Sequence, residues 1–198
     1  MEEKEYRDKI GSALHESAEI KKKIADECIG DIIKAAKIIV NCFSNGNKVL
    51  LCGNGGSAAD AQHIAAEFVV RLTSERNRRA LPAISLGTDT SIITACSNDY
   101  GFESIFLRQV EALGSEGDVL IGITTSGNSP NVINAIQKAK EINMKTIAFL
   151  GAGGGKVKGM SDVDIVIPGN HVCRIQEGQS AVGHILCDTV ESMMFEEN

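Results

Sequence analysis

The sequence predicts an α/β fold: a three-layer α/β/α sandwich around a five-stranded parallel sheet, with an N-terminal helical extension. Three observations carry that prediction. From residue 49 onward, short runs apolar on both faces alternate with stretches of helical periodicity, the pattern of a parallel sheet covered on both sides. Before residue 46 only helical periodicity is present. No long linker, repeat or low-complexity tail interrupts the 198 residues, a length that suits one core, so residues 1–198 read as one domain.

Residues 5–28 form the first predicted helix, with Ile10, Leu14, Ile20 and Ile24 spaced by about one turn. Ile29, Ile32, Ile33, Ala36, Ile39, Val40 and Phe43 make one stripe on a second, and the pattern leaves open whether the two run on through Gly30-Asp31. Asn45-Gly46-Asn47 ends the second helix. The strands are Val49–Cys52, Ala83–Leu86, Val119–Ile123, Thr146–Leu150 and Asp164–Ile167. Helices are expected at 57–72, 89–97, 103–113, 130–142 and 175–195. Residues 1–45 are thus helical extension and 46–198 the α/β core. The apolar stripe at 29–43 points to packing against another subunit.

Charge and cysteine usage narrow the function. The net charge is −6 and no basic run exceeds Lys21-Lys22-Lys23, which argues against a nucleic-acid or membrane surface. An acidic chain that binds an anion must do so locally. The six cysteines form no C-x-x-C pair and several sit in apolar runs, as free thiols do in a reducing compartment. Met1-Glu2-Glu3-Lys4-Glu5 begins no signal peptide, so the expected location is cytoplasmic.

Two loops carry the chemistry. Gly53-Asn54-Gly55-Gly56-Ser57 follows the first strand and opens a helix, where backbone N–H groups and the helix dipole favour an anion. It lacks the spacing of a dinucleotide fingerprint and the lysine of a Walker A loop. Thr124-Thr125-Ser126-Gly127-Asn128-Ser129 follows the third strand, with Ser129 a natural N-cap and Pro130 in the first helical turn. One hydroxyl-rich turn is equally well a helix cap. Two such loops at carboxyl ends of parallel strands favour phosphate binding. Gly151-Ala152-Gly153-Gly154-Gly155 has no hydroxyls and reads as a mobile loop.

His63 and Glu67 stand one helical turn apart in mostly apolar surroundings. As a pair they could be a surface contact. In an apolar setting they call for a partner or a function. Gln176 and His184, about two turns apart on the last helix, are candidate partners. His63, Glu67, Gln176 and His184 together offer N/O donors that suit Zn²⁺ or another divalent ion. His15 and His171 lack such company and read as surface residues. Asn98-Asp99-Tyr100-Gly101-Phe102 reads as a turn before a helix, with Asp99 either capping it or pointing into a site.

At these residues the chain resembles the sugar isomerase (SIS) domain superfamily and, within it, the phosphoheptose isomerase family. The likeness runs nearly end to end. It rests on Gly53–Ser57, His63-x-x-x-Glu67, Asn98-Asp99-x-Gly101-Phe102, Thr124–Ser129 and Arg174-Ile175-Gln176-Glu177 with His184. The resemblance implies an aldose–ketose isomerase that converts sedoheptulose 7-phosphate to D-glycero-D-manno-heptose 7-phosphate, the first step toward activated heptoses of bacterial surface polysaccharide such as lipopolysaccharide. It implies a homotetramer with active sites at subunit interfaces. It implies that Thr124, Ser126 and Ser129 hold the phosphate with Ser57 nearby. Asn54, Gly55, Gly56, Asn98, Asp99, Thr125 and Gln176 would line the sugar with Arg71 close by. Glu67 and His184 would be the acid/base pair, with Glu67 also touching substrate. His63, Glu67, Gln176 and His184 would bind zinc, one ion per subunit. Cys173 stands where some relatives have Asp.

Rival readings stay within the superfamily. A non-catalytic SIS protein similar to this chain is a scaffold for the replication initiator protein, but it lacks the carboxylate at position 67 and the imidazole at position 184. Isomerases of other sugar phosphates are a second rival, and the Gln176…His184 pairing favours the heptose branch. Sugar-phosphate sensors usually come fused to a DNA-binding module, and none is present.

Overall fold

The computed structural model describes residues 3–196. Met1, Glu2, Glu197 and Asn198, which the single-domain expectation also takes in, lie outside them. Helices α1 (Glu3–Glu27) and α2 (Ile29–Ser44) are separate, and the break falls at Cys28 rather than at Gly30. The Cys28 thiol donates to the Val166 carbonyl at 3.5 Å, so the break is seated against the sheet. Alternation then begins: β1 (Val49–Gly53), α3 (Gly56–Val69), β2 (Ala83–Ser85), α4 (Thr90–Tyr100) and α5 (Ile105–Leu113). It continues with β3 (Val119–Thr124), α6 (Pro130–Glu141), β4 (Lys145–Leu150), β5 (Val163–Val166) and α7 (Val172–Phe195). The five-stranded parallel sheet and its helical layers match the expected architecture, but the stripe on α2 expected to face another subunit does not: Ile32, Ala36, Ile39 and Phe43 are buried in this chain's own core, against the sheet and the last helix.

The strand order is β2-β1-β3-β4-β5, and every pairing is parallel. Chain direction across the sheet therefore reverses between β1 and β3, the crevice where open α/β sheets bind ligands. Successive side chains alternate between two cores. Val49, Leu51, Ile121 and Phe149 face α1, α2, α3 and α7. Leu50, Cys52, Leu120 and Leu150 face α4, α5 and α6. Burying one such Leu or Phe contributes about 1.5–3 kcal/mol, which is why these strands carry no polar face. No helix among the described residues is long and apolar enough to cross a membrane.

Three departures from expectation have a clear physical reason. Helix 57–72 ends at Val69 because the Glu67 and Phe68 carbonyls accept from the Arg78 guanidinium, at 2.8 Å each, instead of continuing the helix. Residues 98–100 are the last turn of α4 rather than a free turn. The reversal comes at Gly101, whose φ of +89° is open to glycine, and a short 3-10 turn follows at Phe102–Ser104. The glycine cluster 151–155 is a folded 3-10 turn rather than an unattached loop.

Candidate active site

The first loop is shaped by two glycines. A Cβ on Gly53 would lie 2.6 Å from the Ser57 carbonyl oxygen, so only glycine lets the chain double back from β1 into α3. Gly55 holds φ at +56° as the residue before the helix. Ser57 is buried in the first turn of α3, which contains no acidic residue to oppose an anion there. Asn54 is fixed by an exchange of amide hydrogen bonds with buried Asn131, 2.9 Å in each direction. Asn131 belongs to the first turn of α6. No sequence signal marked it, because an asparagine there has no periodicity to violate.

The second loop begins beside the first, since Gly53 pairs with Ile123 across β1 and β3. Ser129 does not cap α6 through its side chain. Its hydroxyl instead meets the Thr124 hydroxyl at 3.0 Å, so two hydroxyls from the ends of the loop converge. Ser126 Oγ accepts from the Asn128 amide at 3.1 Å. Gly127 has a φ of +64°, and a Cβ there would fall 1.9 Å from the Gly154 carbonyl oxygen. The glycine cluster thus serves as a platform under the hydroxyl loop, held by Val157 N–H to Gly127 O at 3.0 Å and Lys156 N–H to Asn128 Oδ1 at 3.2 Å. A cleft of about 190 Å³ between the loops is lined by Asn54, Phe102, Glu103, Ser129, Pro130 and Asn131.

Helices α3 and α7 lie on the same face of the sheet and carry a polar ladder in parallel register. Gln176 crowds Gly56, where a Cβ would come within 2.5 Å of its Nε2. One turn on, Ser180 Oγ donates to Asp60 Oδ1 at 2.6 Å. One turn further, His63 Nε2 and His184 Nε2 are 2.6 Å apart, one donating and one accepting according to tautomer. Glu67 Oε1 is 3.3 Å from His63 Nε2. A Cβ on Gly183 would meet Ile64 Cδ1 at 2.8 Å, so a small residue there lets the helices approach. His63, Glu67 and His184 offer ligand atoms that all lie within 4.8 Å of one another. Two imidazoles and a carboxylate could hold a divalent ion with a position left open for substrate.

The ladder thus brings together three of the four expected metal residues, with Gln176 two rungs away beside Gly56. His63 is about half exposed, and Glu67 is 17% exposed at its side chain, a wetter setting than the apolar neighbours in sequence imply. Arg71, Asn98 and Asp99 are exposed side chains outside the ladder, and Asn98 donates to Asp99 at 2.8 Å. His15 and His171 are exposed, as expected. Cys173 is the exposed thiol and the other five are buried. Burial pushes the Cys42 and Cys52 thiols up to about 12, which leaves them inert.

A model of the SIS domain matches residues 14–151. The chain belongs to the SIS domain family. Within it, the chain falls among the phosphoheptose isomerases, which are sugar-phosphate isomerases. It is 53% identical over 191 residues to a phosphoheptose isomerase of Aquifex aeolicus, covering 96% of this chain and 99% of that one. Solved structures agree. The phosphoheptose isomerase of Neisseria gonorrhoeae is 42% identical with a TM-score of 0.89, covering 94% of this SIS chain and 99% of that one. That of Francisella tularensis is 40% identical with a TM-score of 0.90, covering 94% and 98%.

Proposed function

We propose that this SIS protein interconverts sedoheptulose 7-phosphate and D-glycero-D-manno-heptose 7-phosphate, the first step toward activated heptose for bacterial surface polysaccharide such as lipopolysaccharide. The observation that carries the reading is the convergence of Glu67 and His184, with His63, on α3, which the first loop opens, and α7, which packs against it. Ketose-to-aldose conversion removes a proton from C1, returns one to C2, and moves a hydroxyl proton from O1 to O2. Glu67 has the basicity to take the C1 proton, and His184 can donate at C2. Positioned groups of this kind contribute about 10²–10⁴-fold each.

The phosphate is assigned to Thr124, Ser126 and Ser129, with Ser57 nearby. Asn54, Gly55, Gly56, Asn98, Asp99, Thr125 and Gln176 line the sugar in this reading, with Arg71 beside it. His63, Glu67 and His184 would hold Zn²⁺, with Gln176 the fourth donor that the resemblance implies, and the ion would supply Lewis-acid polarisation of substrate oxygens. Asn131 keeps the Asn54 amide from turning away from the crevice.

The reading includes a single SIS domain, a cytoplasmic location and a homotetramer with sites completed at subunit interfaces. Three features support the assembly. Residues 3–19 of α1 contain no buried side chain, although Ile10 and Leu14 lie there, 61% and 65% exposed. Val69, Val70 and Ile84 are exposed where α3 meets the edge strand β2. Arg71, Asn98 and Asp99 stand outside the ladder, where a neighbouring subunit's site could use them. The decisive experiment is turnover of sedoheptulose 7-phosphate after chelation, with and without added Zn²⁺, and mass measurement by light scattering. Zinc-restored heptose 7-phosphate formation by a tetramer is expected. Absence of turnover in both states would overturn the assignment.

A further inference from the structure

A buried ion pair lies at the far end of the α3–α7 ladder. The Arg78 side chain is 1% exposed and Glu191, on α7, is 0% exposed. Four of the five Arg78 N–H donors are placed. One Nη2 hydrogen goes to the Glu67 carbonyl at 2.8 Å and the other to Glu191 Oε1. The Nη1 hydrogens go to the Phe68 carbonyl at 2.8 Å and the Arg79 carbonyl at 3.0 Å. Glu191 Oε1 also accepts from the Leu72 amide at 3.3 Å. Its other oxygen faces Arg76, which donates to Asp188 and Ser192 at 3.0 and 3.2 Å and pairs with Glu196.

We infer that Arg78 and Glu191 are positioning residues that set the register of Glu67 against His184. The inference rests on the reading of those two as the reacting pair. One planar guanidinium joins the backbone of Glu67 itself to α7, and Glu191 stands two turns beyond His184 on that helix. The Phe68 carbonyl also accepts from the Leu81 amide at 3.1 Å, but among the described residues the Glu67 carbonyl has no such second partner, and a cation there also answers the helix dipole. Stability alone does not call for this arrangement. A buried ion pair is on balance a weak stabiliser, and apolar residues could fill the same volume. An apolar pair could not grip the Glu67 carbonyl, however, and α3 would be free to slide or fray at the turn that carries the carboxylate. A lysine could keep Glu191 paired but has no planar fork to hold two carbonyls as well.

The test uses the full-length protein and the variants Arg78→Lys, Glu191→Gln and Asp188→Asn. Circular dichroism establishes that each is folded at the assay temperature. Zinc affinity is read by competition with a chromogenic chelator, and kcat and KM with sedoheptulose 7-phosphate. Arg78→Lys and Glu191→Gln are expected to lower kcat and zinc affinity by about 10–100-fold, the range for groups that orient metal ligands, with KM changed less than about twofold. Asp188→Asn cuts only the outer part of the network and should stay near the wild type in all three. Wild-type kcat and zinc affinity in folded Arg78→Lys would overturn the inference. So would activity that tracks only the folded fraction, or failure of both core variants to fold. If the wild type does not turn over the sugar but binds zinc, the isomerase reading falls and the zinc affinities alone decide the positioning role. If it turns over without binding zinc, the kcat and KM comparison decides. If it does neither, the inference falls with the reading.

Discussion

His63 Nε2 and His184 Nε2 lie 2.6 Å apart although 121 positions separate them in the chain. The contact exists because α3 and α7 run in parallel register, with 56, 60 and 63 on one helix answering 176, 180 and 184 on the other. Two imidazole nitrogens this close cannot both present a proton. They share one, or both present lone pairs to a cation. The second arrangement also engages Glu67, whose Oε1 is 3.3 Å from His63.

Glu67→Gln keeps the size of the side chain and removes its basicity. The side chain is only 17% exposed, but it is not part of a buried charge network, so the fold should tolerate the amide. We expect kcat to fall by about 10²–10⁴-fold with an unchanged circular dichroism spectrum. Turnover at the wild-type rate would remove Glu67 from the role of base.

His63→Ala separates metal binding from acid/base chemistry, since His63 holds no assigned proton-transfer role. Loss of one of three clustered donors should weaken zinc binding by more than the about 10–100-fold typical of losing an outer supporting group. Isothermal titration with zinc on the chelated protein measures this. Unchanged affinity would mean that the His63, Glu67 and His184 cluster is not the metal site.

Asp118 governs acid stability at the opposite end of the sheet. Burial alone would raise its pKa, but hydrogen bonds from Lys48 Nζ at 2.5 Å, Lys48 N–H at 3.0 Å and Ser115 N–H at 2.8 Å outweigh it and hold the carboxyl below its ordinary value. A depressed folded-state pKa stabilises above the unfolded value, about 3.9, and that contribution is lost as pH falls through the folded value. Asp118→Asn should therefore be less stable at pH 7, by about 1.5–3 kcal/mol for charge-assisted bonds, yet lose less stability as pH falls below about 4. Urea unfolding at several pH values tests it. Parallel pH profiles for wild type and variant would exclude Asp118 as the titrating group.

The strands were legible because a parallel sheet buried on both faces leaves uninterrupted apolar runs such as Val49–Cys52 and Val119–Ile123. His63 and Glu67 were legible as a pair because helical spacing is local. What the sequence could not show is the meeting of α3 with α7, which depends on both helices choosing the same face of the sheet. Arg78 was invisible for the same reason: its partners Glu67 and Glu191 are 11 and 113 positions away, and it reads as one arginine in a polar loop. Ser129 misled because a serine before proline is an N-cap by local rules, while tertiary structure offered its hydroxyl to Thr124.

Two neighbouring glycines should respond to alanine in opposite ways. At Gly53 the added Cβ meets backbone, 2.6 Å from the Ser57 carbonyl oxygen, and backbone in the turn between β1 and α3 cannot yield without moving the helix. Overpacking of that kind costs about 1–3 kcal/mol. At Gly56 the Cβ meets the end of the Gln176 side chain, 2.5 Å from Nε2, and a side chain can swing aside at little cost to the fold. Gly53→Ala should therefore lower the melting temperature. Gly56→Ala should leave melting nearly unchanged, because the Gly56 backbone is outside the left-handed region and accepts a Cβ, while displacing Gln176 and weakening sugar and zinc binding. Thermal melts and zinc titration on both variants distinguish the two. A Gly56→Ala protein with wild-type KM and zinc affinity would show that Gln176 reaches neither ligand from its place beside the first loop.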